Sequence, residues 1–289
     1  MNLLTASRCA LSPGCVIWVS DAATAVIVFA LGGAIGSFIN VVVYRLPAGL
    51  SLLWPPSRCP HCLHQLGKRE NVPVLGWLWL RGRCRHCKGK ISWRYPLVEA
   101  VCGILFLLVF WKFGASVQTL GYWTFCSWLL ALSLIDLDTM TLPNPLTQSG
   151  LVIGLGFGLV AGFLPATSWV SAAAQLITGI FGMVLGLWLL DLVAVVGSMT
   201  LGQAAMGGGD AKLASMLGAW LGWKYLLLTA FLACAAGAFV GGGAIALGLI
   251  ERRQRMPFGP FLALGAVVTL LGGKEILSTY LRLFFPSSS

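Results

Sequence analysis

Two aspartates stand where a chain this apolar rarely places charge. Asp136 closes the run Leu132-Ser133-Leu134-Ile135, and Asp210 follows Ala205-Met206-Gly207-Gly208-Gly209 at the head of another apolar stretch. An ionised side chain at bilayer depth costs about 2.5–3.5 kcal/mol on insertion scales, which makes each a candidate functional group. Two carboxylates in one low-dielectric cleft cannot both ionise easily, so they share a proton. One can then take a proton from water while the other protonates a leaving group, which is the chemistry of hydrolysis. Gly207, Gly208 and Gly209 would let a substrate backbone approach and let a helix start abruptly. Other roles compete. Asp210 could be a helix N-cap, which aspartate favours. Asp136 or Asp138 could be interfacial charge. Asp191, deep in an apolar run, reads first as a hydrogen-bonded helix-packing group and second as a third carboxylate of the site.

The other constellation is Cys59-Pro60-His61-Cys62 and Cys84-Arg85-His86-Cys87, two C-x2-C pairs separated by 21 residues. Each pair offers two thiolates to a tetrahedral Zn2+, with bonds of about 2.3 Å. The gap is close to that of a zinc ribbon. Four protein thiolates close the coordination shell, so the metal would be structural rather than catalytic. A disulfide or redox role and a metal-free fold are the competing readings, and a reducing compartment argues against disulfides. His61, His64 and His86 are possible substitute ligands, though loop histidines are more often simply exposed. Cys102, Cys126 and Cys234 read as small apolar core residues. Cys9 and Cys15 could pair with each other.

These residues must be held by membrane helices. The chain has 289 residues, 58% of them hydrophobic and 10% charged, which excludes a soluble domain. A transmembrane helix needs about 20 apolar residues. Such runs fall near 24–44, 97–114, 120–136, 146–165, 172–197, 211–228, 229–250 and 258–273. The expected fold is therefore an all-α polytopic membrane protein of about eight transmembrane helices, with a small cytoplasmic zinc-binding insert between the first two. The break inside 211–250 stays open: its first half, up to Gly222-Trp223-Lys224, is short for a full span, and 275–285 is too short to cross and is expected at the interface. Domain ranges follow: 1–23 an N-terminal extracytoplasmic segment, 24–46 the first helix, 47–96 the insert, and 97–289 the remaining membrane domain. The first twenty residues lack a basic region followed by a cleavage site, so the first span reads as a retained anchor.

Charge sets the orientation. Ten of the 19 Lys and Arg residues lie between the first two spans, from Arg45 to Arg94. The positive-inside rule places that loop in the cytoplasm. Alternating from there, Glu251-Arg252-Arg253-Gln254-Arg255, Lys212, Asp136 and Asp210 also fall inside, although the aspartates played no part in the assignment. The net charge of +10 is read as topology control and contact with anionic lipid, with no nucleic acid as partner.

At these residues the chain resembles the bacterial type IV prepilin peptidases, bifunctional leader peptidase/N-methyltransferases whose catalytic domain belongs to the GxGD intramembrane aspartic proteases. The resemblance covers about 32–289. It is carried by the segments Gly36-Ser37-Phe38-Ile39-Asn40, both Cys pairs, Asn71-Val72-Pro73 and Leu80-Arg81-Gly82-Arg83-Cys84. Further matching segments are Arg94-Tyr95-Pro96-Leu97-Val98-Glu99, Ile135-Asp136-Leu137-Asp138, Leu142-Pro143-Asn144, Gly207-Gly208-Gly209-Asp210 and Pro257-Phe258-Gly259-Pro260. It implies that Asp136 and Asp210 are the catalytic pair and that the cysteine insert, linked to methyl transfer, binds zinc. It implies prepilin or pseudopilin substrates of type IV pili or type II secretion, cut on the cytoplasmic side after a glycine. The new N-terminal residue, usually Phe, is then methylated from S-adenosylmethionine, and the enzyme sits in the bacterial inner membrane. The chain departs from the family in Asn144, where aspartate is frequent, in a short Pro47–Cys59 loop, and in a long spacing between the two aspartates. No Gly-x-Gly-x-x-Gly loop after a strand marks a donor site. A peptidase without methylation is the nearest alternative. An ion-coupled transporter using the aspartates as proton relays is a more distant one, and no inverted repeat supports it.

Overall fold

The computed structural model describes residues 13–67, 70–201, 207–249, 251 and 256–284. Cys9, the side chain of Cys15, and Arg252, Arg253 and Arg255 of the basic loop lie outside what is described. The helices are α1 (Pro13–Arg45), α2 (Leu75–Trp79), α3 (Arg94–Phe113), α4 (Val117–Thr139), α5 (Asn144–Ala166), α6 (Trp169–Leu201), α7 (Gly208–Ala246) and α8 (Gly259–Phe284). All but α2 are long and apolar enough to cross a membrane. Among the described residues there is no strand, only two isolated bridges. Many large apolar side chains point outward, Trp188, Phe231 and Phe239 among them. In water that surface would be unfavourable, and against lipid it is expected.

The chain forms two compact units, one of Met1–Val41 with Leu53–Ala115 and the other of Val42–Leu52 with Ser116–Ser289. In the first, α1 and α3 meet through small residues. A Cβ on Gly32 would lie 2.8 Å from the Gly103 Cα, and one on Gly36 would lie 2.7 Å from the Glu99 Cα. With lipid around them, helices gain little from apolar burial alone, and close backbone approach supplies the packing.

The second unit is built on α7. Its first limb, from Asp210 to Trp220, is almost wholly buried. Gly182 and Gly218 approach so closely that a Cβ on Gly182 would lie 2.5 Å from the Gly218 carbonyl oxygen. At Gly222 the backbone leaves helical geometry, with φ 74° and ψ 170°. There the chain folds back. Gly241 packs on Met256 and Asp136 bonds Gly259 while acting electrostatically on Asp210. A straight helix from 210 to 241 would instead separate those ends by about 47 Å at 1.5 Å per residue. The expected runs 211–228 and 229–250 are thus the two limbs of α7, two helical stretches joined at Gly222, a break that comes earlier than residue 228. The short first limb is tolerated because protein, not lipid, surrounds it.

Two boundaries differ from expectation. Helix α1 begins at Pro13, a residue suited to a first helical turn. Residues 275–284 do not form a separate interfacial segment but continue α8, since no proline interrupts Lys274 to Phe284.

Candidate active site

Four helix ends converge on the two aspartates. Asp136 lies in the last turns of α4 and is 5% exposed; Asp210 lies in the first turn of α7 and is 8% exposed. Helix α4 stops at Met140, a left-handed residue (φ 51°) whose N–H closes on the Asp136 carbonyl. The chain then turns through Leu142 and Pro143 into α5. Leu142 packs beside Gly209, where a Cβ would lie 3.1 Å from the leucine Cβ. Lys212 Nζ donates to Asn144 Oδ1 at 2.7 Å, tying the starts of α7 and α5 together.

The carboxylate of Asp136 is fixed by a backbone donor. Its Oδ2 accepts the Gly259 N–H at 2.9 Å. That N–H belongs to the first turn of α8, where amides have no partner within the helix. A side chain at 259 is excluded, because a Cβ there would lie 2.7 Å from Oδ2. The N-termini of α7 and α8 both face this site, and their partial positive charge suits anionic groups. The two aspartates are near enough to interact electrostatically. The Asp210 carboxylate accepts the Gly207 N–H, so the pair, each member held by a backbone amide and the two coupled, is an arrangement able to divide a proton between attacking water and leaving amine.

The structure separates the roles that compete for these residues. Asp210 is not the N-cap: Gly207 is, and it makes no side-chain capping bond. Asp136 is not interfacial charge, being buried. Gly207 and Gly208 border open space, since a Cβ at either would meet nothing within 4 Å. Asp191 lies about a turn past Gly186, which packs on Ala214, and so is near the level of Asp210. Its side chain is exposed rather than packed between helices. Gly259 carried no expected role. A backbone donor has no side-chain signature, and only its place between Phe258 and Pro260 marked it.

The four cysteines form a second centre. The Sγ atoms of Cys59, Cys62, Cys84 and Cys87 lie within 4.8 Å of one another, unbridged by disulfides. Cys59 and Cys87 are 3.8 Å apart and Cys62 and Cys84 4.0 Å. A tetrahedron with bonds of about 2.3 Å has edges of about 3.8 Å, so the donor set fits zinc. The two knuckles repeat one backbone pattern. The first Cys N–H of each donates five residues on (Cys59 to His64, Cys84 to Gly89) and its carbonyl accepts from four on (Leu63, Lys88). Leu63 and Lys88 are both left-handed. The Cys62 backbone N–H is the main influence drawing the Cys59 thiol down to about 6. The His64 N–H lowers the Cys62 thiol, but burial and the neighbouring thiols outweigh it and push it up to about 11. A divalent cation would favour all four groups as thiolates, and this donor set could hold one. His64 and His86 stack at 4.6 Å and His61 bonds the Lys90 carbonyl, so none is needed as a ligand. Helix α2 braces the second knuckle: Trp77 Nε1 donates to the Ile91 carbonyl at 3.1 Å, and its ring lies where a Cβ on Gly82 (φ 66°) would fall.

Comparison with known proteins covers most of the chain. Residues 30–113 match the Bacterial Peptidase A24 N-terminal domain and residues 123–242 the Type IV leader peptidase family. The Prepilin leader peptidase/N-methyltransferase of Stutzerimonas stutzeri is 39% identical over 280 residues, covering 87% of this chain and 92% of that protein. Those of Pseudomonas putida and Pseudomonas aeruginosa are 38% and 37% identical, covering 88% and 87% of this chain and 92% and 91% of theirs. No solved structure matches.

Proposed function

The chain belongs to the Type IV leader peptidase family, and from that premise we propose that Asp136 and Asp210 are the groups that cut its substrate. The protein is a multi-pass membrane enzyme, a prepilin peptidase with N-methyltransferase activity. The observation that carries the aspartate assignment is the buried, coupled pair with Asp136 Oδ2 held by the Gly259 N–H. Water adds to the scissile carbonyl as one carboxylate takes its proton. The other gives a proton to the leaving nitrogen as the C–N bond breaks. Gly207, Gly208 and Gly209 line the approach of the peptide, and the open space beside the first two supports this.

The scissile bond lies on the cytoplasmic side of the inner membrane, after a glycine, in prepilins or the pseudopilins of type II secretion. Both the concentration of Lys and Arg before α3 and the shared end of Asp136 and Asp210 support that side. Segment 47–96 holds structural zinc through Cys59, Cys62, Cys84 and Cys87 and serves methylation, while 97–289 serves cleavage. S-adenosylmethionine, as methyl donor, supplies an electrophilic methyl group to the freed amine. Incubating purified protein and donor with a model prepilin, and reading the product N-terminus by mass spectrometry, tests this. Leader loss with one added methyl is expected. A cut but unmethylated product would leave a peptidase alone, and an uncut substrate would overturn the reading.

A further inference from the structure

A third buried carboxylate lies away from the aspartate pair. Glu99, in the second turn of α3, is 9% exposed, among the buried side chains of Val98 and Cys102. Its Oε2 accepts the Val74 N–H at 2.6 Å, and the Ser37 hydroxyl is its other partner. Both are neutral. Among the described residues no Lys, Arg or His pairs with it. Gly36 brings α1 against it, and Gly33 sits on Pro73 just before Val74.

The two hydrogen bonds explain an acceptor here but not a charge. A glutamine carbonyl would accept from Val74 and Ser37 at a smaller desolvation cost, whereas an uncompensated buried carboxylate costs several kcal/mol. A carboxylate also has about four lone-pair sites, of which the two donors use about half. The remaining acceptor capacity and the unmatched charge call for a compact cation with several donors, reaching in through the small exposed edge. An ammonium group has that form. Amine methylation brings together two molecules that each carry one: the peptide with a free N-terminus, and a methyl donor with an amino-acid end.

We propose that Glu99 binds an α-ammonium group, carried either by the N-terminus of the processed pilin or by the amino-acid end of the methyl donor. This rests on the methyl-transfer reading above. It gives the Arg94–Glu99 segment a binding role, with Val74 and Ser37 holding the carboxylate in place.

The test compares binding to the full-length wild type and Glu99→Gln, which keeps both hydrogen bonds and removes the charge. One arm uses a labelled peptide beginning at the mature pilin phenylalanine, free or N-acetylated. The other uses tritiated S-adenosylmethionine and its deaminated analogue. Wild type should prefer the free amine at least about ten-fold in one arm, the size of a charge-assisted hydrogen bond. In Glu99→Gln that ratio should fall to within about two-fold. The arm that moves names the source. A wild type with no preference in either arm overturns the proposal without any variant, and so does a Glu99→Gln protein of normal zinc content that keeps the preference, leaving Glu99 a tether. An unmethylated product from wild type sinks the methyl-transfer reading instead, while these ratios still decide Glu99.

Discussion

Asp136 is held by a single backbone amide, and Gly259 is the residue that lets it approach. A Cβ at 259 would lie 2.7 Å from the Asp136 Oδ2, so Gly259→Ala must displace the carboxylate or the start of α8. Misplacement of a catalytic group by about 1 Å can cost roughly 100-fold in rate. Gly259→Ala should therefore lower kcat for cleavage by about 10- to 100-fold with a smaller change in KM, measured on a model prepilin with the variant still extractable as folded protein. The aspartates were legible in the sequence because charge at the end of an apolar run stands out. The partner was not, because Gly259 acts through an N–H that every residue but proline has. Asp210 was legible as a candidate but ambiguous as a cap, and the structure puts Gly207 at the cap with Asp210 three residues on, in the first turn.

At the level of the element, Gly222 is the pivot of α7. Its φ of 74° is strained for any other residue, and a Cβ would lie 2.7 Å from the Thr178 Cγ2. Gly222→Val should destabilise the second unit by about 1–3 kcal/mol, read as a lower thermal midpoint in detergent. The short apolar run before Gly222-Trp223-Lys224 already signalled an interruption in the sequence. Its position and the reversal did not follow, because they depend on Gly182 and Gly218 meeting where α6 and α7 pack together. The cysteine knuckles were the most legible element, since ligand spacing is local. Metal binding can contribute roughly 10–16 kcal/mol to such a fold. Chelation or Cys59→Ser should remove zinc, measured by metal analysis, and change the fluorescence of Trp77, which rests on the second knuckle. Methylation should fall further than cleavage.

For the whole molecule, the claim to test is orientation. On the Lys and Arg distribution, the end bearing Asp136 should lie inside and the Gly222 turn outside. Lys224, beside that turn, and Asp138, two residues past Asp136, are both exposed. With Cys9 and Cys15 replaced by serine, a membrane-impermeant maleimide added to intact spheroplasts should label Lys224→Cys and spare Asp138→Cys until the membrane is opened. The reverse pattern would invert the topology. Spans were legible because length and apolarity are properties of contiguous sequence. The fold-back of α7 and the continuation of α8 through 275–284 were not, because packing partners and unbroken helical geometry decided them.

The most direct measurement is cleavage of a model prepilin by purified protein, wild type beside Asp136→Asn and Asp210→Asn. Each substitution alone should reduce cleavage by at least about 1,000-fold, as loss of one member of a pair that acts as a unit does, with both variants folded and of wild-type metal content. Cleavage near the wild-type rate in either variant would contradict it, and would turn attention to Asp138 and Asp191.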